Sequence, residues 1–444
     1  MTSKRKKVNI ITLGCSKNTV DSEVLMRQLE LNNWELSESS EGSDITVINT
    51  CGFIEAAKQE SVDTILQAVR LKQEGRLERV VVMGCLSERY ADALKKEIPE
   101  VDAFVGANKM DQVVLELGGV LRRELLGERL LTTPRHFAYL KISEGCDRPC
   151  SFCSIPLMRG KHVSKPIERV VTEAKRLAAL GVKEIILIAQ DSTYYGLDLY
   201  GKRRLAELLG LLGEIDGIEW IRLMYAFPTG FPDDVLDQFN TNAKLCRYLD
   251  IPVQHVSDPI LTSMRRGISS EALRRLIGEI RSGVPGISLR TTLIVGYPGE
   301  GEQEFEELLQ FVEQTSFDRL GVFTYSQEEG TFAYPLGDSV SPEVKESRRE
   351  KIMELQQSIS QKKNQALIGT RVRILIDEKH DGIARGRTER DAPEVDNEVV
   401  VTNAHRLKVG EFHDVRIVDA AEYDLFGEPL VAESVESTVA SDSR

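Results

Sequence analysis

Short apolar runs alternate with helix-like segments over residues 8 to about 120. The runs predict strands at 8–14, 44–50 and 79–84, with helices at 19–32, 55–72 and 87–97, then V-D-A-F-V-G and another helix. Such alternation predicts a parallel α/β layer. From residue 137 the rhythm resumes with wider spacing, in six apolar runs each followed by a helical stretch: F-A-Y-L-K-I-S, E-I-I-L-I-A, W-I-R-L-M-Y, L-D-I-P-V-Q, L-R-T-T-L-I-V-G and L-G-V-F-T-Y-S. Six β/α units predict a partial barrel with its functional loops at the carboxyl ends of the strands. Residues 121–136 read as the linker between these two parts. After a polar helix near 341–366, the pattern shortens to R-V-R-I-L-I-D, G-I-A-R-G-R, E-V-V-V-T and H-D-V-R-I-V-D, bounded by Gly, Asp and Asn. That pattern predicts a small antiparallel β-barrel. The expected fold class is α/β, with domains at 1–120, 137–368 and 369–432 and a disordered tail over 433–444.

A chain of 444 residues exceeds what one hydrophobic core usually supports, which agrees with several domains. No apolar run approaches the roughly 20 residues needed to span a bilayer. The basic start M-T-S-K-R-K-K is followed by only a short apolar stretch ending at Gly14 and Cys15, without a cleavage-type motif. A cytoplasmic protein is expected. A formal net charge of −13 gives no general attraction to phosphate backbones and suits a basic partner better than a nucleic acid.

Six of the seven cysteines form two triads. Cys146, Cys150 and Cys153 make a compact C-x3-C-x2-C, whereas Cys15, Cys51 and Cys85 each end an apolar run, 36 and 34 residues apart. A reducing compartment argues against a disulfide scaffold and for metal or redox chemistry. Ligands gather at the carboxyl edge of open parallel sheets, so the dispersed triad can converge there. Its bland alternative is three buried small hydrophobes, since free Cys is among the most buried residue types. The compact triad is a turn able to wrap one face of an iron–sulfur cube. Such clusters usually take four cysteines, so three leave one iron open. Zinc would need a closed fourth ligand, for which His162 is the nearby candidate. Cys246, before the fourth barrel run, is expected to be structural.

C-x3-C-x-Φ-C, here Cys146, Cys150, Phe152 and Cys153, resembles the signature of radical S-adenosylmethionine (SAM) enzymes. The resemblance implies a 4Fe-4S cluster whose open iron chelates SAM, with Phe152 near the adenine. Ala189-Gln190-Asp191 stands where that family commonly has Gly-Gly-Glu, which makes Gln190 and Asp191 candidate cofactor contacts. The run Thr292 to Glu300 resembles the family's fifth-strand G-x-I-x-G-x-x-G-E, with Thr292 replacing the first glycine, and nominates Ile294, Gly296 and Gly299. An ordinary strand-to-helix turn with Glu300 in its first helical turn explains that run equally well. Over nearly the whole chain, the order of three-cysteine domain, radical SAM barrel and TRAM-like β-barrel resembles the methylthiotransferases. That resemblance implies a second 4Fe-4S cluster on Cys15, Cys51 and Cys85, an electron donor, a sulfur source and two uses of SAM, one methylating the sulfur and one generating a deoxyadenosyl radical.

Methylthiotransferases modify either adenosine in tRNA or an aspartate β-carbon of ribosomal protein S-twelve. Gln254-His255, Glu328-Glu329 and D-A-P-E-V-D at 391–396 resemble the second group. His255 could equally be a satisfied buried histidine, and the Glu pair solvated surface. Residues 370–430 carry nine Lys and Arg against fourteen Asp and Glu, a net −5, whereas an RNA-binding barrel should show a basic face. The expected substrate is therefore the ribosomal protein, with nucleic-acid binding secondary. A tRNA enzyme and a non-catalytic iron–sulfur adaptor are the competing readings.

Overall fold

The structure is a computed structural model and describes residues 5–125 and 127–430. It divides into two compact units, one running to Gln356 and one beginning at Gln357. The first contains both the N-terminal layer and the six-unit barrel.

The N-terminal layer has strands β1 (Lys7–Thr12), β2 (Glu35–Ser37), β3 (Ile45–Thr50), β4 (Arg79–Gly84) and β5 (Ala103–Gly106), in the order β2-β1-β3-β4-β5. All four neighbouring pairs are parallel. Helices α1 (Ser16–Leu31), α2 (Glu55–Gln73), α3 (Cys85–Glu97) and α4 (Met110–Glu116) make the crossovers and the cover. The central strand I-T-V-I-N-T is buried at every position, as a strand covered on both faces must be. Each fully buried Val or Ile there stabilises the fold by roughly 1.5–3 kcal/mol relative to exposure. β2 is a short edge strand that the apolar pattern did not announce, because E-L-S contains one apolar residue.

The second sheet has six parallel strands, β6 (Phe137–Lys141), β7 (Glu184–Ile188), β8 (Trp220–Leu223), β9 (Leu245–Asp250), β10 (Ser288–Val295) and β11 (Arg319–Thr324), paired in that sequential order. The two ends of the series do not pair, so the barrel is partial. The fourth strand lies earlier than the run L-D-I-P-V-Q suggested. It is L-C-R-Y-L-D, and Cys246 sits inside it, not before it. Pro252 supplies no N–H to a ladder, so regular pairing ends at Asp250. Gln254 then rejoins β10 through an isolated bridge to Leu293.

The second unit holds a closed barrel of β12 (Arg371–His380), β13 (Ile383–Arg387), β14 (Val399–Val401), β15 (Phe412–Ala420) and β16 (Leu425–Pro429). Its pairs are antiparallel except β14 with β16, which run parallel. Ile374, Ile376, Val399, Val401, Val415 and Ile417 fill the interior. The tail expected over 433–444 lies outside the described residues.

Candidate functional site

Cys15, Cys51 and Cys85 follow β1, β3 and β4, which are neighbours in the sheet. The sheet order brings three distant segments to one edge, at the place where such sheets bind ligands. Cys15 immediately precedes α1, and Cys85 is the first residue of α3. Close approach depends on glycine. Gly14 has φ +92°, and a Cβ there would stand 2.8 Å from Cβ of Cys51. Gly84 has φ +103°, and its Cβ would meet the Thr50 carbonyl oxygen at 2.6 Å. The backbone of Cys51 is fixed by Ser61, whose hydroxyl accepts from its N–H at 3.1 Å and donates to its carbonyl at 3.0 Å.

The compact triad occupies the loop after β6. Cys146 N–H donates to the Gly160 carbonyl at 3.1 Å, and Ser151 N–H donates to the Met264 carbonyl at 3.0 Å. Ser151 Oγ also donates to the Ser263 carbonyl at 2.8 Å, which fastens the loop to the far side of the barrel. Arg266 donates from Nη1 to Cys150 Sγ at 3.3 Å and from Nη2 to the Pro252 carbonyl at 2.6 Å. Its guanidinium and that of Arg148 lie on the Phe227 ring at 4.2 and 4.1 Å.

All six cysteines line one cavity of about 440 Å³. Burial pushes the thiols up: Cys85 to about 11 against the pull of Arg159, Cys146 to about 11, and Cys153 to about 12. Burial also raises Cys51. Thiols held protonated by desolvation become thiolates when a metal centre supplies the compensating charge. Two sets of three soft donors lining one cavity are of the donor type that iron–sulfur clusters take.

Comparison with known proteins agrees with this architecture. Residues 7–106 match the Uncharacterized protein family UPF0004, residues 140–312 the Radical SAM superfamily and residues 368–430 the TRAM domain. "Ribosomal protein uS12 methylthiotransferase RimO" of Christiangramia forsetii is 56% identical over 428 residues, 96% of this chain and 95% of that protein. The protein of the same name from Flavobacterium psychrophilum is 57% identical over 427 residues, 96% and 98% of the two chains. This chain belongs to the RimO family. Among solved structures, the radical SAM methyltransferase TsrM of Kitasatospora setae, with cobalamin and a [4Fe-4S] cluster bound, shares the fold at TM-score 0.54 and 13% identity, covering 74% of each chain. As a radical SAM enzyme, a RimO-family chain works with an iron–sulfur cluster and SAM.

The other nominated residues of this RimO-family chain divide by position. Phe152 and Gln190 line the cavity with the cysteines; Asp191, Ile294, Gly296 and Gly299 are not among its lining residues. Asp191 is turned into the protein, where it accepts from Arg148 Nε at 2.6 Å, Thr193 N–H at 2.9 Å and Thr193 Oγ1 at 2.6 Å. Ile294 packs with Phe152 against Tyr297 and Tyr325. Gly296 N–H donates to Glu300 Oε2 at 2.8 Å, and Arg348 donates to Glu300 Oε1 at 2.9 Å, so this turn is internally braced. His162 is buried, with Nε2 bound to Ser164 Oγ at 3.1 Å. His255 is fully buried; Nδ1 accepts from Ser257 N–H at 3.0 Å and Nε2 lies 3.6 Å from Glu300 Oε2. Glu328 is not a surface acid. It is buried and paired with Arg89 at 2.8 Å and Lys58 at 3.3 Å, joining α3 and α2 to the segment after β11.

Helix α1 holds side chains that cysteine spacing could not reveal. It buries Lys17, Asn18, Asp21, Ser22 and Glu23 along with Val20 and Leu25. Arg159, from α5 (Ile155–Arg159), donates to Asp21 Oδ2 at 2.7 Å, Glu144 Oε2 at 3.2 Å and Cys85 Sγ at 3.3 Å, and also bonds Asn18. Lys141 bridges Asp21 and Glu144. Glu144 in turn accepts from Gln190 Nε2 at 2.7 Å. Burial opposes its ionisation, yet Lys141 and Arg159 hold it down to about 2. The available signal was S-K-N-T-V-D-S-E directly after Cys15, where apolar spacing is sparse for a helix against a core.

Proposed function

We propose that this chain methylthiolates an aspartate β-carbon of ribosomal protein uS12 by radical SAM chemistry. The observation carrying this reading is that three cysteines of the N-terminal layer and three of the barrel line the same cavity. Cys146, Cys150 and Cys153 would hold one 4Fe-4S cluster with SAM at its open iron, and Cys15, Cys51 and Cys85 a second. When bound, these groups supply the electron, the deoxyadenosyl radical and the methylthio donor, and an external electron donor and sulfur source serve them.

The residues of the chain bind, orient and exclude water. Phe152 offers a flat apolar face to the adenine, backed by Ile294. Gln190 Oε1 is buried without a hydrogen-bond partner, while its amide nitrogen is held by Glu144. That arrangement presents a fixed acceptor suited to the ammonium of SAM. Asp191 contributes by fixing Arg148 behind the compact loop, and Gly296 and Gly299 shape the turn that backs the cofactor pocket. Partial enclosure limits the side reactions of a carbon radical. Hydrogen abstraction needs no general acid or base, and none is assigned.

The division of labour follows the modules: 1–120 for sulfur, 137–368 for radical generation and 369–432 for docking. A net −5 over 370–430 is complementary to a basic ribosomal protein. Its place is with the ribosome, in the cytoplasm; among the described residues no helix is long and apolar enough to cross a membrane. The test is to supply anaerobically reconstituted enzyme with uS12, with its loop peptide and with unmodified tRNA. Mass gain of a methylthio group on the aspartate is expected; methylthiolation of tRNA alone would overturn the reading.

A further inference from the structure

We infer that Lys17 is the residue that receives the side-chain carboxylate of the target aspartate. This rests on the aspartate reading above and names a specificity determinant for it. Four cationic side chains line the cavity: Lys17, Arg148, Arg159 and Arg266. Three are held by hydrogen bonds through their guanidinium groups, although Arg148 Nη2 and Arg266 Nε keep no partner. Arg148 pairs with Asp191, Arg159 with Asp21 and Glu144, and Arg266 with a thiol and a backbone carbonyl. Lys17 is different. It is 7% exposed, and its ammonium, unlike the three guanidinium groups, has neither a hydrogen bond nor an ion pair among the described residues. The ammonium instead lies 3.0 Å from the centre of the Tyr225 ring.

The ring is itself held in an unusual conformation. Tyr225, just after β8, has φ +61°, a left-handed value that non-glycine residues adopt rarely and that clusters at binding sites. Asp250 accepts its N–H at 3.0 Å, and its carbonyl accepts Ser192 N–H at 2.9 Å, so the backbone is fixed by the end of β9 and by the turn after β7. The ammonium of a largely buried lysine on the N-terminal helix and an aromatic face from the barrel thus meet at the cavity.

The chemistry of the substrate explains why a cation is wanted there. The β-carbon of aspartate is bonded directly to its carboxylate, so the reacting carbon cannot enter without the charge. Burying an unpaired carboxylate costs several kcal/mol. Lys17 removes that cost and, two residues from Cys15, holds the neighbouring carbon beside the triad assigned to sulfur.

The experiment uses the full chain with its clusters reconstituted anaerobically. Binding of a uS12 loop peptide containing the target aspartate is compared with that of the same peptide carrying asparagine, for wild type, Lys17→Met and Lys17→Arg. SAM affinity and iron content are measured alongside. Wild type should prefer the aspartate peptide by roughly tenfold or more, the scale of one charge-assisted hydrogen bond. Lys17→Met should bind both peptides alike, and Lys17→Arg should retain a preference. Equal binding of the two peptides by wild type, or an undiminished preference in Lys17→Met, would overturn the assignment. Loss of SAM affinity in Lys17→Met with the preference intact would also overturn it, giving the ammonium to the cofactor's carboxylate. If wild type methylthiolates neither peptide, the aspartate reading falls and this one with it. If wild type modifies the aspartate peptide while Lys17→Met keeps the preference, only the Lys17 assignment fails.

Discussion

Cys146, Cys150 and Cys153 lie within eight consecutive residues, whereas Cys15, Cys51 and Cys85 stand 36 and 34 residues apart, yet both triads line one cavity. The compact triad is a chelate built by a loop, and its neighbours stiffen what the chain already brings together. The dispersed triad exists only as long as β1, β3 and β4 pair in register and the layer stays seated on the barrel. The difference teaches that one site depends on local chain geometry and the other on tertiary packing, and the two should fail in different ways.

The sharpest break is at the cysteines themselves. Cys150→Ala should abolish deoxyadenosine formation while leaving the N-terminal iron; Cys15→Ala should leave deoxyadenosine formation and remove methylthiolation, each with about half the iron expected from two clusters. Two complete clusters and full methylthiolation in Cys15→Ala would end the two-site description.

Next comes Arg159, which belongs to the barrel but bonds Asp21 and Cys85 of the layer. Arg159→Met leaves Asp21 and Glu144 buried with less compensation, which should cost about 3–5 kcal/mol in chemical denaturation. Recovery of part of that loss in Arg159→Met/Asp21→Asn would identify uncompensated charge as the cause. Gly14→Ala is smaller, about 1–3 kcal/mol from the left-handed backbone. It should lower iron at the dispersed triad with deoxyadenosine formation preserved; equal loss from both triads would show that the two are not independently held.

Cys246→Ser tests the seventh cysteine, which is buried in β9. Iron content should be unchanged, with a cost of about 1–3 kcal/mol for the buried hydroxyl. The smallest effect is at Glu173, buried against Lys165 at 2.9 Å and Arg129 at 3.6 Å. Burial opposes its ionisation, but Lys165 and Arg129 hold it below the usual carboxylate range. A depressed carboxylate stabilises above its unfolded pKa, about 4.3, and that contribution is lost as pH falls through the folded value. Glu173→Gln should therefore be less stable at neutral pH and lose less stability on acidification, read from denaturation midpoints across the acid range.

Much of this was legible along the chain because the signals are local. Strands that end in cysteine, six β/α units and a C-x3-C-x2-C loop are properties of short segments, and the structure places those six cysteines around one cavity. The fourth barrel strand was misplaced because I-P-V-Q is as apolar as L-C-R-Y-L-D, and only the missing N–H of Pro252 separates them. Solvated surface was the alternative for the Glu328-Glu329 pair because an acidic residue in a polar stretch usually is exposed; the partners that bury Glu328, Arg89 and Lys58, are more than two hundred residues away. Asp191 was nominated by the resemblance of Ala189-Gln190-Asp191 to Gly-Gly-Glu; the sequence could not show that its oxygens accept from Arg148 and Thr193.

The sequence by itself determined the modules, the six thiols and the class of chemistry, since periodicity and ligand spacing are encoded within a few residues of each other. Only the tertiary structure decided that the two triads line one cavity, which acids are clamps, and that Lys17 meets Tyr225 there. Those facts depend on buried pairs between residues remote in the chain, and a charge reveals its partner only when folding removes water from both.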